Sequence, residues 1–108
     1  IHFGLFTENK LIGVASVFKT NNENFDQKNQ FQLRGMAILK EYQSSGFGKL
    51  LIEEIFNFIK INQTELLWFN ARETAVPFYE KLGCIKKGAS FEIPEIGAHF
   101  LMFKYFDV

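Results

Sequence analysis

The hydrophobic and polar positions of the chain form short apolar blocks near both ends and follow a helical period in the middle. Two apolar, β-compatible segments, residues 1–6 and 11–18, flank the polar residues 7–10, a pattern typical of a β-hairpin. Residues 19–30 are polar and rich in asparagine, which predicts an exposed, mobile loop. Residues 31–39 are apolar with little alternation, which predicts a strand covered on both faces.

The strongest periodicity follows a glycine-containing loop and begins at Phe47. Apolar side chains recur there at helical spacing, with charged and amide side chains on the other side, which predicts a helix of about 15 residues. Residues 65–70 then form a short apolar strand. A strand, a helix and a second strand in this order predict a βαβ unit with parallel strands and a right-handed crossover.

The remaining third of the chain predicts a short helix and a closing pair of strands. The helix spans residues 74–82, because Pro77 is tolerated only in a first turn and Gly83 suits a left-handed cap at the end. Residues 84–93 and 99–106 read as strands joined by a Pro- and Gly-containing turn. Together these elements predict an α/β (α+β) fold with a mixed central sheet and flanking helices.

Composition and charge narrow the class of protein. The chain has 108 residues with 12 basic and 12 acidic side chains, so we expect a single domain, residues 1–108, that does not bind nucleic acid through bulk charge. It contains no apolar run of about 18 residues, which argues against a membrane span. The lone Cys84 excludes a disulfide framework and fits a cytoplasmic protein, and its spacing from the two histidines predicts no metal site.

The first chemical signal comes from the segment between the predicted strand 31–39 and the helix that begins at Phe47. Its last residues and the first residues of the helix read Gln43-Ser44-Ser45-Gly46-Phe47-Gly48-Lys49. Helix N-termini have unpaired N–H groups and a favourable dipole for anions, and glycines allow an anion to approach the backbone. The spacing fits neither a P-loop, which needs Ser or Thr after the lysine, nor a dinucleotide fingerprint, which needs a third glycine at position 51.

Two motifs, in order and on the expected elements, resemble those of the GNAT N-acetyltransferase superfamily. The first is Gln-x-x-Gly-x-Gly, formed by Gln43, Gly46 and Gly48 after an apolar strand. The second is Asn-x-x-x-x-Ala-x-x-Phe-Tyr-x-x-x-Gly, matched by Asn70, Ala75, Phe78, Tyr79 and Gly83. The resemblance covers residues 1–106 and implies the acyl-CoA N-acyltransferase fold, with acetyl-CoA as co-substrate and an amine as acceptor.

The resemblance also implies a set of cofactor contacts. In this family the two parallel strands separate and the pantetheine arm lies along the first of them. Carried onto this sequence, the cofactor-binding residues are Met36, Ala37 and Ile38 for the pantetheine, Gln43, Ser44, Ser45, Gly46, Phe47, Gly48 and Lys49 for the pyrophosphate, and Asn70 from the second strand. Most of these contacts would be made by the main chain.

The same resemblance gives candidate catalytic residues. Tyr79 matches the family tyrosine near the sulfur that acts as general acid, although a core tyrosine on an amphipathic helix would look the same. Three candidates remain open for the base: Glu41, Glu92 and His99. His99 lies in a Gly-x-His-x-x-Met arrangement similar to one found in small bacterial members, and histidine can take up a proton near neutral pH.

Three questions stay open from the sequence. Arg34 lies within an apolar strand, so we expect a carboxylate partner or a place in the cleft, where it would suit an acidic acceptor. The chain begins at Ile1 and lacks the strand and two helices with which the family usually begins, and these helices form one wall of the acceptor pocket. Three explanations stay open: a trimmed or partial chain, a partner chain that supplies this wall, or a reduced, inactive version of the fold. The alternative to catalysis by transfer to a small-molecule or protein amine is a non-catalytic acyl-CoA-binding or oligomerising module, and a homodimer is one expected assembly.

Overall fold

The computed structural model describes residues 1–107 and contains a six-stranded sheet with two α-helices. The strands are β1 His2–Thr7, β2 Lys10–Phe18, β3 Gln30–Ile38, β4 Leu66–Arg72, β5 Ile85–Ile93 and β6 Gly97–Tyr105, and the helices are α1 Phe47–Ile61 and α2 Val76–Lys81. Short 3-10 turns precede each helix, at Lys40–Tyr42 and Glu73–Ala75. Each predicted element is present, and each boundary lies within two residues of the prediction, except that the second helix divides into a 3-10 turn and α2.

The sheet has the order β1-β2-β3-β4-β6-β5 and is antiparallel except between β3 and β4. The parallel pair joined by α1 confirms the predicted βαβ unit and the mixed α/β fold class. Both helices pack on one face of the sheet, where the fully buried Ile52, Ile55 and Ile59 of α1 meet Val17 and Leu67. Gly83 ends α2 with a φ of +90°, as its left-handed cap position predicts.

The opposite face of the sheet carries a smaller apolar cluster under the asparagine-rich loop. Phe25 from this loop packs with Leu66, Trp68 and Phe103, and only 7% of its surface is exposed. The buried Gln30 side chain holds the loop, donating from Nε2 to the Gln27 carbonyl at 2.8 Å. The prediction that this loop is exposed is therefore wrong at Phe25. A single aromatic side chain in a polar segment can be buried when the segment folds back over an apolar part of the sheet.

A β-bulge in β3 changes which side chains face the helices. Val14 pairs with Ala37 and Ser16 pairs with Arg34, so one residue of β2 lies opposite two residues of β3. Gly35 adopts a φ of +64° at this point. Leu33 before the bulge and Met36 after it therefore face the helices, while Arg34 faces away. The prediction that this strand is covered on both faces is wrong for its second half, where Arg34, Gly35 and Ala37 are exposed.

We predict that Gly35→Ala lowers the free energy of unfolding by about 1–2 kcal/mol, the cost of a left-handed conformation for an L-residue. The space around the glycine is open, with no atom within 4 Å of an added Cβ, so the loss reports the backbone conformation alone. Urea unfolding followed by circular dichroism measures it. Gly35→Asn is the matched control and should lose less, since asparagine tolerates this conformation; equal losses for both would contradict the explanation.

Candidate active site

A gap opens in the middle of the sheet where β3 and β4 separate. Their parallel pairing covers only Gln30–Leu66, Phe31–Leu67 and Gln32–Trp68. Beyond these pairs the strands diverge around a space of about 350 Å³. Its lining comes from both strands, the following turn, α2 and β6: Leu33, Arg34, Gly35, Met36, Phe69, Asn70, Ala71, Arg72, Ala75, Tyr79 and His99. Ala37 and Ile38 remain paired to Val14 and Gly13 of β2, while β3 beyond Gln32 has no partner on the β4 side in the described sheet.

A larger cleft of about 900 Å³ adjoins the gap on the helix side of the sheet. Eight of the predicted cofactor-binding residues line it: Met36, Ala37, Ile38, Gln43, Ser44, Gly46, Gly48 and Lys49. Ser45 and Phe47 belong to the same loop but do not line the cleft, and the Phe47 ring instead packs edge-on against Tyr42 at 5.9 Å. The structure therefore brings together most of the residues that the first motif selected.

The start of α1 presents unpaired amides to this cleft. The Gly46 carbonyl accepts the first helical hydrogen bond, from the Leu50 amide at 3.2 Å, so the amides of residues 47–49 precede the intrahelical ladder. Gly46 precedes the helix with a φ of +85° and has no side chain that could cap it. Lys49 is the one charged residue of the first turn, Phe47–Leu50, so the dipole and the side-chain charge both favour an anion here.

Gln43 fixes the shape of this loop. Its side-chain Nε2 donates to the Ile38 carbonyl at 2.9 Å, and its backbone amide donates to the Lys40 carbonyl at 3.2 Å. The glutamine therefore ties the loop back to the end of β3. This contact gives a physical reason for a long side chain with an N–H donor at this position, since the donor must reach across the turn.

Tyr79 lies where the gap meets the cleft, because its side chain lines both spaces. Its ring packs against Phe69 at 4.5 Å and Phe78 at 5.0 Å between centroids, and 8% of the residue is exposed. Burial, followed by the negative charge of an ionised Cys84, raises the pKa of Tyr79 to about 12. The phenol therefore keeps its proton at neutral pH, as a general acid requires.

His99 lines the gap opposite Arg72, its neighbour in the β4–β6 register. Its Nδ1 lies 2.9 Å from the Gly97 carbonyl, which can only accept, so Nδ1 carries the hydrogen and Nε2 presents a lone pair. The other two base candidates lie outside the gap. Glu41 forms an exposed ion pair with Lys10 at 3.5 Å, and Glu92 lies at the exposed edge strand β5.

A third cavity, of about 450 Å³, lies on the sheet face away from the helices. Its lining includes Asn22 and Asn24 of the asparagine-rich loop, Lys87 and Phe91 of β5, and Asn70. Asn70 also lines the gap, so the gap and this cavity meet at the Asn70 side chain. Asn70 therefore borders the gap from the second strand and does not line the helix-side cleft, and its contact with the cofactor stays a prediction.

Sequence reasoning did not assign four residues of the helix-side cleft to the site: Arg72, Thr74, Ala75 and Phe78. Arg72 and Thr74 follow the carboxyl end of β4, where parallel strands place binding residues, so that signal could have identified them. Phe78 belongs to the second motif, and its ring atom Cζ lies 3.2 Å from where a Cβ on Gly48 would be. The glycine at position 48 therefore allows α1 to pack closely against α2.

The residues of this site match a known family. A sequence profile described as an acetyltransferase (GNAT) domain matches residues 1–83 of the chain. The chain belongs to the GNAT acetyltransferase family. The uncharacterized N-acetyltransferase YitI of Bacillus subtilis is 33% identical over 103 residues, which cover 95% of this chain and 69% of that protein. The ribosomal protein bS18 alanine N-acetyltransferase of Haemophilus influenzae is 33% identical over 85 residues, covering 77% of this chain and 53% of that protein.

A solved GNAT structure shares the fold. The PaiA N-acetyltransferase of Thermoplasma acidophilum, determined in complex with coenzyme A, has a TM-score of 0.78 and 20% identity, covering 98% of this chain and 60% of that chain. The chain thus spans between about half and just over two thirds of the length of these relatives. The family match and the curated relatives confirm the predicted GNAT fold and N-acetyltransferase class.

Two further structural findings concern metal binding and membrane-spanning helices. In residues 1–107, no group of three or more histidine, cysteine or carboxylate side chains is placed to hold a metal ion. Neither helix in that range has the length and hydrophobicity needed to cross a bilayer.

We predict that Tyr79 ionises near pH 12 in the folded protein, well above the ordinary tyrosine pKa of 10.0. Between these two pH values the unfolded chain releases a proton that the folded chain retains. Rising pH in this window therefore favours unfolding. A phenolate absorbance titration, subtracting Tyr79→Phe from the parent, should give a step near pH 12. A step near pH 10 would contradict the burial of the hydroxyl.

Proposed function

We propose that this domain transfers the acetyl group of acetyl-CoA to an amine acceptor by direct attack of the amine on the thioester. The observation that carries the proposal is the separation of β3 from β4, which opens a passage through the sheet with Tyr79 and His99 on its walls. In this proposal the co-substrate lies in the helix-side cleft, and the acceptor enters from the third cavity on the other face. When bound, acetyl-CoA supplies the activated acetyl thioester.

The residues of the helix-side cleft fit coenzyme A in two ways. Residues 36–38 of β3 line the helix-side cleft and have no partner on the β4 side in the described sheet, and such an edge can pair with the amides of an extended pantetheine arm. The amides of residues 47–49, together with Lys49, suit the pyrophosphate. The remaining motif residues shape this loop, with Gln43 holding it against Ile38.

His99 serves as the base in this mechanism. An amine with an ordinary lysine pKa of about 10.4 is only roughly 0.04% neutral at pH 7, so the acceptor ammonium has to lose a proton before it can react. The His99 side chain lines the gap, and the Gly97 carbonyl holds its Nδ1, so in the neutral ring Nε2 is the nitrogen that can accept a proton. Of the three candidate bases, His99 is the one that lines the gap in the described chain.

Tyr79 serves as the acid, since it holds a proton at neutral pH beside the space that the departing sulfur would occupy. Proton transfers of this kind contribute about 10²–10⁴-fold each. Alignment of the two reactants by the cleft and the third cavity can supply about 7–11 kcal/mol, so positioning is the larger contribution.

The acceptor and the cellular setting remain proposals. The Haemophilus influenzae relative is named for an alanine of a ribosomal protein, so a protein N-terminal amine is one acceptor class and a small-molecule amine is the other. The buried, free Cys84 thiol fits a cytoplasmic protein, and the homodimer stays a prediction.

We predict that acetyl-CoA stabilises the protein through the start of α1. At a ligand concentration 100-fold above Kd, the gain should be about 2.7 kcal/mol, readable as a thermal shift. Lys49→Glu places a carboxylate beside the phosphates and should weaken binding by about 10-fold or more. Lys60→Glu, at the other end of α1, is the matched control and should leave Kd unchanged. No stabilisation of the parent at millimolar acetyl-CoA would exclude both catalysis and acyl-CoA binding.

We predict that Tyr79→Phe and His99→Gln each lower kcat by about 100-fold while acetyl-CoA still binds. Coenzyme A thiol release with a panel of amines measures the rate. The matched controls are Tyr105→Phe and His2→Gln, which change an exposed tyrosine and an exposed histidine outside the gap.

Full activity of Tyr79→Phe would show that the acid assignment is wrong, and the same result for His99→Gln would exclude His99 as the base. Binding of acetyl-CoA by the parent without thiol release from any amine would favour the non-catalytic acyl-CoA-binding module.

A further inference from the structure

The charges around the passage are all of one sign. The three spaces that form it are lined by Arg34, Arg72, Lys49 and Lys87, and none of the carboxylates in residues 1–107 lines any of them. The whole chain has equal numbers of acidic and basic side chains, 12 of each, so this lining departs from the composition of the molecule. Lys49 and Arg72 line the helix-side cleft, where the coenzyme A phosphates of the proposed function would neutralise them.

Arg34 and Lys87 have no such role, because neither lines the helix-side cleft. Arg34 borders the gap and Lys87 borders the third cavity, on the acceptor side of the sheet. Within the described chain neither forms an ion pair, and the one salt bridge there is Lys10–Glu41. Both cations therefore keep their full charge toward the space in which the acceptor would lie.

Aromatic rings, and not carboxylates, hold these two cations in place. The Arg34 guanidinium lies 5.4 Å from the centre of the Phe18 ring, and the Lys87 ammonium lies 5.1 Å from the centre of the Phe25 ring. A ring face restrains a cation without neutralising it, which leaves the N–H groups available to an oxyanion. The arginine fork in particular matches the two oxygens of a carboxylate.

We propose that the acceptor is a small amine that also carries a carboxylate, which Arg34 binds with help from Lys87 while the amine faces His99. This proposal rests on the proposed function for the identity of the reacting amine. Asn22, Asn24 and Asn70 supply uncharged polar groups around the same cavity. The absence of lining carboxylates in the described residues disfavours a polycationic amine, which would need negative partners.

The test compares α-, β- and γ-amino acids with their own amides, which keep the amine and remove the negative charge. We expect the best amino acid to have a kcat/KM about 10- to 100-fold above that of its amide, mainly through KM. The amide amine loses its proton more readily, so intrinsic reactivity works against this preference. A kcat/KM for the amides equal to or above that of the acids, or efficient acetylation of an N-terminal peptide amide only, would overturn the proposal.

Substitutions test which residues produce the preference for the amino acid over its amide. Arg34→Gln should reduce the acid-to-amide ratio to near 1, and Arg34→Lys should retain part of it, because the charge remains without the fork. Lys87→Gln should lower the ratio by a smaller factor. Lys86→Gln is the matched control, since Lys86 is the neighbouring lysine of β5 and lies over the Phe100 ring at 4.8 Å, outside all three spaces. An unchanged ratio in Arg34→Gln would overturn the role of Arg34.

Measurements of acceptor binding distinguish a failure of this proposal from a failure of the proposed function. Thermal shifts of the coenzyme A-loaded protein with the same acids and amides need no chemistry. A larger thermal shift with an amino acid than with its amide, lost in Arg34→Gln, supports carboxylate recognition. If that shift is seen but no amine causes release of coenzyme A, the proposed function alone fails. Equal or absent stabilisation by both series overturns the carboxylate site, while thiol release with uncharged amines would leave the proposed function standing.

Discussion

The early end of the hydrogen bonding between β3 and β4 is the constraint on which the rest of the site depends. Parallel strands in a covered sheet ordinarily pair along their length, because a buried backbone amide without a partner is costly. Here the pairing stops after Gln32 and Trp68, and the unpaired edge of β3 borders a space that water or a ligand can enter. A fully paired sheet would leave no passage between its faces.

The bulge at Gly35 determines which side chains of β3 lie on each side of the sheet at this open edge. Because the bulge shifts the side-chain alternation, Met36 and Ile38 return to the helix side, while Arg34 is directed to the opposite face. Within β3, the apolar Met36 and Ile38 therefore line the helix-side cleft, where the proposed function places the cofactor. Arg34 lies on the other face, where the proposed function places the acceptor. The same strand serves two chemically different compartments, which regular alternation over its length would not allow.

Most of the fold could be predicted from periodicity and turn residues, because each element follows a local rule. The period of α1, the proline at the start of α2 and the glycine after it all act within a few residues. The burial of Phe25 could not be predicted in this way, because it depends on which face of the sheet a distant segment covers, and tertiary packing sets that face. The place of Asn70 beside the third cavity depends on the same packing of the asparagine-rich loop. The position of His99 at the gap likewise needed the register of β6 against β4.

The attachment of the asparagine-rich loop has a consequence for how such a domain can diversify. Gln30, Trp68 and Phe25 anchor the loop by contacts on its own face of the sheet, and none of these residues lines the helix-side cleft. The Asn24 side chain lines the third cavity but is not one of these three anchoring residues, so a substitution at Asn24 can change this wall without altering the residues of the helix-side cleft. If the third cavity admits the acceptor, as in the proposed function, acceptor selectivity can change independently of the residues on the other face of the sheet.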